Sequence, residues 1–430
     1  MNRINIGLVG YGVVGQGVVK LLKMREEFIK NKFDAEFNIK VLCDRSYHKK
    51  DTRGLGRALL TRDYNKVLDD PTINVVVELI GGLHPAKEIV FAALKRGKHV
   101  VTANKMLIAN YGKELFRLAK NEKRHLYFES CVGAGTPMIN IITDGLAGNK
   151  FSCVYGIING TCNYILSAMT KNKVSFGQAL LEAQKKGYAE SNPTLDIKGM
   201  DSTHKLAILI YLAFGKFINV KDIYTEGITQ ISHDDIEYAQ SLGLTVKLLG
   251  IAKKVKNKVE ARVHPTLIAQ DHPLASISSI YNALYLKVRP MGDVLLSGEG
   301  AGQLAAASGV LSDLIHLASQ EGDTDLLSNI YTEAKNVGVR KMDQVRTKYY
   351  LRFMVSDKPG TLSKLSGILG RYGIGINSVS QKAHYGKSTV PVIILTDFAP
   401  ERNFRLALQK IYQLSIVKSK PVAIRMENLN

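Results

Sequence analysis

Four ionisable side chains crowd one short stretch of the chain. Glu190, Asp196, Asp201 and Lys205 fall within 16 positions, in Gly187-Tyr188-Ala189-Glu190-Ser191-Asn192-Pro193-Thr194-Leu195-Asp196 and Gly199-Met200-Asp201-Ser202-Thr203-His204-Lys205. The apolar run Leu206 to Ile210 follows directly. Carboxylates grip an ammonium group, and a partly desolvated lysine can move a proton to or from a carbonyl oxygen. Asp201 and Lys205 are four apart and share a helix face, so the plainest reading of that pair is an exposed salt bridge worth about 0.2–0.5 kcal/mol. A second lysine, Lys105, ends Val100-Val101-Thr102-Ala103-Asn104-Lys105, just beyond a strand. In an open parallel sheet, ligands bind at that carboxyl edge.

These residues need a frame, and the N-terminus supplies one. The apolar run Ile4 to Val9 leads into Gly10-Tyr11-Gly12-Val13-Val14-Gly15, followed by a helical pattern of Val18, Val19, Leu21 and Leu22. A buried strand feeding a glycine-rich turn that opens a helix is a dinucleotide fingerprint. Gly10 permits the turn, Gly12 lets backbone N–H groups approach a pyrophosphate, and Gly15 lets the helix pack closely, its positive end toward the phosphates. With a nicotinamide beside the lysines, the chemistry would be hydride transfer on an amino-acid aldehyde or alcohol.

Further strands are expected at Ile39 to Asp44, Asn74 to Leu79, His99 to Thr102 and His125 to Glu129, with helices between, such as Pro85 to Arg96 stopped at Gly97. The alternation implies a Rossmann-type, doubly wound parallel sheet of the α/β class over residues 1–137. Strand two ends at Asp44-Arg45. The acid would accept from the ribose of NAD, whereas the arginine would pair with the 2′-phosphate of NADP. Both remain open, with Arg45, Lys49 and Lys50 tilting the balance to NADP. The polar insert Arg25 to Asn38 accounts for the long gap before Asp44.

The texture changes after that. Residues 138–310 mix helices with alternating strands such as Val259 to Val263, as expected of an α+β substrate-binding and dimerisation domain. A return helix and linker, 311–348, includes the polar stretch Gln320 to Asp325. The final module, 349–430, reads strand, helix, strand, strand, helix, strand. The linker makes that module separable, so a truncated chain is expected to fold.

The 430 residues carry a formal charge of +20, with 45% hydrophobic and 22% charged residues. The basic residues are spread out, and Lys253 to Lys258 reads as a solvated hairpin. A generally basic surface that attracts small anions is favoured over nucleic-acid binding. The tail keeps the latter as a minor reading, with 12 Lys and Arg against 4 Asp and Glu over residues 349–430. No apolar run is long enough to span a membrane. The first strand leaves no room for a leader, and four cysteines without metal spacing read as reduced thiols, so a cytoplasmic protein is expected.

The chain resembles the homoserine dehydrogenases along nearly its whole length. The fingerprint, Val101 to Lys105, Glu129-Ser130-Cys131-Val132-Gly133-Ala134-Gly135-Thr136-Pro137, Gly156 to Tyr164, Gly187 to Lys205, Val263-His264-Pro265 and Gly300-Ala301-Gly302 carry the resemblance in order. It implies reversible reduction of L-aspartate 4-semialdehyde to L-homoserine with NADH or NADPH, on the route to threonine and methionine. Lys205 would exchange the proton, and Lys105 would position substrate and nicotinamide. Gly187, Glu190, Asp196 and Asp201 would bind substrate. Gly10, Gly12, Val13, Val14, Gly15, Arg45, Thr102, Lys105 and Gly302 would line the dinucleotide. Glu129 with the carbonyls of Val132, Ala134 and Thr136 would hold a monovalent cation such as sodium. A homodimer or homotetramer is implied. Asn192 replaces an Asp common in relatives, and Gln303-Leu304 replaces a Pro-Thr pair after Gly302.

The final module resembles an ACT domain of ferredoxin-like fold, carried by Asp357-Lys358-Pro359-Gly360, the helix Leu362 to Leu369 and Gly373-Ile374-Gly375-Ile376-Asn377. Such modules bind amino acids, and L-threonine is the expected effector; a purely structural role is the alternative. A non-catalytic dinucleotide sensor on the same scaffold is the rival to the enzyme, but a sensor needs no proton-transfer lysine.

Overall fold

A computed structural model describes residues 2–319, 335–336, 338–381 and 388–429. Gln320 to Asp325, and with it part of the expected 311–348 linker, lies outside the described residues. The chain divides into two compact units: Met1–Gly160, Asp201–Asp222 and Ile280–Val337 form one, and Thr161–Met200, Ile223–Ser279 and Gly338–Asn430 the other.

The first unit is built on six strands: β1 (Asn2–Val9), β2 (Ala35–Cys43), β3 (Leu59–Thr61), β4 (Val75–Glu78), β5 (His99–Thr102) and β6 (Leu126–Tyr127). They pair in the order β3-β2-β1-β4-β5-β6, every pair parallel. Parallel strands are covered on both faces and must be apolar throughout, as Val75, Val76 and Val77, all buried, illustrate. The order reverses between β1 and β4, which opens a crevice at the carboxyl edge. The same unit holds an antiparallel meander of Lys150–Ile157, Tyr281–Arg289 and Gly292–Glu299.

Two local expectations change. Arg25 to Phe33 is not a polar insert but the continuation of one helix, Val13–Phe33, with Asp34 in the left-handed region at its end. Lys, Arg and Glu are good helix formers, so a polar composition lengthens a helix as readily as it makes a loop. The strand expected at His125 to Glu129 narrows to Leu126–Tyr127, because Glu129–Cys131 turns into a 3-10 helix.

The second unit contains the antiparallel hairpin Leu244–Val255 and Lys258–Ala269, turning at the exposed Lys256 and Asn257 as expected of a solvated hairpin. Its C-terminal part runs strand Arg346–Ser356, helix Thr361–Arg371, strands Ile376–Gln381 and Thr389–Thr396, helix Glu401–Tyr412 and strand Val422–Met426, the order of elements read from the sequence. Tyr349, Leu351, Phe353, Leu365, Ile394 and Phe404 pack its core. The expected separable module makes several contacts with the rest of its unit. Strand Val422–Met426 pairs in parallel with Lys258–Ala269. Arg425 donates to Glu226 and Glu401, and the Arg352 guanidinium grips Asp235 at 2.7 Å. The alternation of Val259 to Val263 therefore does not mark a half-exposed strand. Glu260 and Arg262 are buried as an ion pair, with Glu427 and Arg340 completing the network.

No helix among the described residues is long and apolar enough to cross a membrane.

Candidate active site

Lys105, Asp201 and Lys205 come together in the first unit. β5 delivers the chain to Asn104, whose side-chain oxygen accepts from the Leu107 N–H and caps the helix Lys105–Asn121. Lys105 is thus the first helical residue, fixed by a cap worth about 1 kcal/mol. The helix Met200–Phe214 supplies the other two, and it is buried from Asp201 through Leu212. This burial decides what spacing could not. Asp201 is 5% exposed and Lys205 is 9% exposed, so the pair is no surface salt bridge.

Asp201 is a hub. Its Oδ1 lies 2.7 Å from Lys105 Nζ and its Oδ2 lies 2.8 Å from Lys205 Nζ. Asn159 Nδ2 donates to Oδ2 at 2.9 Å, and Lys205 Nζ donates to the Ile158 carbonyl at 2.8 Å. Burial opposes ionisation of Asp201, but the Lys205 and Lys105 ammonium groups outweigh it and hold the carboxyl well below its usual range. The carboxylate expected to bind substrate is in contact with both lysines and with Asn159. An ammonium has three donors; two bonds of Lys205 go to Asp201 and Ile158, which leaves one donor able to reach a ligand oxygen.

Asn159 and Ile158 carried no role in the sequence reading. Their only signal was position, immediately after an apolar strand inside the Gly156 to Tyr164 motif. Glu78 was missed too, although a lone acid closing the run Val75-Val76-Val77 was visible.

The fingerprint folds as expected. A Cβ on Gly10 would lie 2.7 Å from the Leu79 carbonyl carbon, and one on Gly15 would collide with the Gly10 carbonyl oxygen. Gly12 and Val13 are exposed and Val14 half-buried at the start of the helix. Gly302 is exposed, and Gln303, in place of the usual Pro, donates to the Val13 carbonyl at 3.2 Å. Asp44 is already engaged: Oδ2 accepts from Tyr11 N, and Oδ1 from Ser46 and from Lys50 Nζ at 2.8 Å. Burial opposes its charge, yet the Lys50 ammonium and the N–H groups hold its pKa at about 2. Asp44 anchors the glycine turn, while Arg45 and Lys49 stand exposed beside it. Thr102 is fully buried, its hydroxyl spent on Glu78 and Asn104, so it supports the site from inside rather than presenting a hydroxyl to a ligand.

Gly187, Glu190 and Asp196 belong to the second unit. Gly187 and Glu190 are exposed, and Asp196 is half-buried in the short helix Thr194–Ile197.

The proposed cation ligands lie in the first unit. Glu129 is 1% exposed and accepts from the Ile139 and Asn140 N–H groups, both at 2.8 Å. Burial raises its pKa to about 7. Its own N–H donates to the buried Asp313, whose carboxyl is pushed well above its usual range by burial and by the Glu129 charge. Ala134 sits in the left-handed region, which turns the Val132 to Thr136 backbone sharply beside Glu129. Two desolvated carboxyl groups, Glu129 and Asp313, face one another's charge here, a deficit of positive charge that a bound cation would relieve.

A dinucleotide fingerprint at the switch point of a parallel sheet, with two lysines on one buried carboxylate at its carboxyl edge, defines a nicotinamide-dependent oxidoreductase. Comparison with known proteins narrows the class. Residues 10–129 match the homoserine dehydrogenase NAD-binding domain, 137–315 the homoserine dehydrogenase family and 349–415 the ACT domain. The chain is similar to the homoserine dehydrogenase of Neisseria gonorrhoeae, 38% identical with 100% of both chains covered. It is 33% identical to that of Bacillus subtilis, over 99% of each. The structure of a homoserine dehydrogenase from Thiobacillus denitrificans superposes with a TM-score of 0.92 at 38% identity, covering 100% of this chain and 99% of that one. A hyperthermophilic archaeal homoserine dehydrogenase in complex with NADPH matches with a TM-score of 0.62 at 28% identity, covering 73% of this chain and 97% of that one. The chain belongs to the homoserine dehydrogenase family.

Proposed function

We propose that this homoserine dehydrogenase interconverts L-aspartate 4-semialdehyde and L-homoserine with NADP as its preferred cofactor, on the route to threonine and methionine. The observation that carries the catalytic assignment is the shared hub: both lysines meet one buried carboxylate. The nicotinamide, when bound, supplies or accepts the hydride. Lys205 gives the proton to the reacting oxygen in reduction and removes it in oxidation. Asp201 and the Ile158 carbonyl aim that ammonium, and Asn159 fixes the carboxylate. Lys105, on the same carboxylate, adds positive charge where an alkoxide develops. Glu190 and Asp196 bind the substrate's ammonium group, with the Gly187 backbone shaping the turn that carries them.

The preference for NADP rests on Asp44. Its oxygens are taken by Tyr11, Ser46 and Lys50, while Arg45 is exposed and suited to a 2′-phosphate. Glu129 and the carbonyls of Val132, Ala134 and Thr136 hold a monovalent cation such as sodium, which would neutralise the buried carboxyl groups. The ACT domain binds an amino acid, with L-threonine as the effector. The enzyme works as a homodimer or homotetramer in the cytoplasm.

The experiment is direct. Homoserine-dependent reduction of NADP is followed by the absorbance of the reduced nicotinamide, in the parent and in K205A. Loss of about two or more orders of magnitude in kcat with unchanged NADPH affinity is expected. Near-parent turnover in K205A would remove the assigned role.

A further inference from the structure

We infer that Glu78 is a positioning residue that locks the dinucleotide-side loop to the lysine hub, an inference that rests on the function proposed above. Glu78 closes β4 and is 0% exposed. Its Oε1 accepts from the Ile80 N–H at 2.9 Å and from the Gly81 N–H at 3.2 Å. Its Oε2 accepts from Thr102 Oγ1 at 2.7 Å, on the neighbouring strand end. Thr102 Oγ1 in turn accepts from the Asn104 N–H at 3.0 Å. Asn104 donates to the Gly82 carbonyl at 2.6 Å and caps the helix that begins with Lys105.

One carboxylate therefore holds two structures at once. On one side it sets the backbone at Ile80 and Gly81, next to the Leu79–Ile80 peptide that abuts Gly10 of the fingerprint. On the other it sets the cap of the helix whose first side chain reaches Asp201. Burying a carboxyl group is costly, and a neutral residue of the same size would be the cheaper filler. Glu78 is worth that cost only where several donors must be held in one geometry. An amide cannot replace it, because its NH2 would face a Thr102 hydroxyl whose own hydrogen then has no acceptor there. Hydride and proton transfer do not use Glu78 directly; it acts through Lys105 and the loop.

The test is a double-mutant cycle on the full chain, with parent, E78Q, K105A and E78Q/K105A. Circular dichroism and thermal melting establish that each variant is folded. E78Q is expected to lower kcat by about tenfold to a hundredfold, the scale of a small misplacement of a catalytic group. It also weakens NADPH binding, read by the fluorescence of the nucleotide. In the K105A background, E78Q should lower kcat by less than about twofold, because the route through Lys105 is gone. A full, multiplicative loss in that background would overturn the inference, as would an E78Q enzyme within about twofold of the parent in kcat and NADPH affinity. Should E78Q fail to fold, T102V carries the same cycle. It keeps the carboxylate and removes the hydroxyl that joins it to Asn104, and its loss should likewise vanish with Lys105; a multiplicative loss overturns the inference. NADPH affinity keeps the two readings apart. A parent that binds NADPH but does not oxidise homoserine defeats the proposed function, while the E78Q effect on NADPH still reports on Glu78.

Discussion

Removing both lysines from Asp201 should reverse the way this group couples stability to pH. At an effective dielectric constant of about 20, unit charges 2.7 and 2.8 Å apart attract by about 6 kcal/mol each. Desolvation offsets most of that, and Lys105, whose side chain is 38% exposed, is further screened by solvent. Removing either lysine leaves the other with Asn159, at a cost of roughly 1–2 kcal/mol. Removing both strands a buried carboxylate with Asn159 alone, at about 3–5 kcal/mol, so the double variant loses more than the sum of the singles. The sign follows from linkage. In the parent, the folded carboxyl is held below its unfolded value of 3.8, so its contribution is complete above that pH and is lost as pH falls. In K105A/K205A, burial without a counter-ion raises the folded value instead. The folded state then holds a proton that the unfolded state has released, and stability declines as pH rises above about 4, by up to about 1.4 kcal/mol per pH unit. Urea unfolding of parent, single and double variants from about pH 4 to 8 measures this. A difference between parent and double variant that stays flat across that range would refute the hub.

R45A should weaken NADPH about tenfold to a hundredfold and NADH hardly at all, the worth of one charge-assisted hydrogen bond; equal losses in a fluorescence titration would place Arg45 elsewhere. G15A should abolish measurable NADPH binding, since the new Cβ has no room against the Gly10 carbonyl; undiminished affinity would mean that the turn is not the phosphate site. Deleting residues 349–430 should leave an aggregating or strongly destabilised chain, because Asp235 and Arg262 lose buried partners and the strand Lys258–Ala269 loses its edge neighbour; a soluble, cooperatively melting truncation would restore the separable module. L-threonine titrated against the full-length enzyme should inhibit homoserine oxidation, and indifference over a wide concentration range would exclude it as effector.

Much of the fold was legible because its signals are local. A buried parallel strand reads as an apolar run, so β1, β4 and β5 were found within a residue or two of their ends. The glycine turn reads from its spacing after an apolar strand, and at Gly10 and Gly15 a side chain would collide with backbone. The elements of the C-terminal module read from alternation and turn chemistry. What stayed illegible depends on partners far along the chain. Nothing near Arg262 announces that Glu427 will meet it, and nothing near Asp235 announces Arg352. Those pairs let charged residues occupy interior strands and helices, and they also fasten the last module to the hairpin and to the helix His233–Ser241 before it. A linker composition can mark where a domain begins in sequence, but it says nothing about the surface onto which that domain folds.

The site shows the same division more sharply. Asp201 and Lys205 have the spacing of an ordinary surface pair, and that spacing is identical whether the helix faces water or is buried. The apolar run Leu206 to Ile210 pointed toward burial without proving it, since one apolar stripe suffices for a surface helix. The deciding fact is that the polar face of this helix is also covered, by groups that spacing could not supply: Lys105 from the cap beyond β5, and Asn159 and the Ile158 carbonyl from the end of an antiparallel strand. A buried carboxylate needs its charge matched and its lone pairs filled. Asp201 meets both needs with the same two lysines that the proposed mechanism uses, so on that proposal a substitution at Asp201 disturbs stability and turnover together.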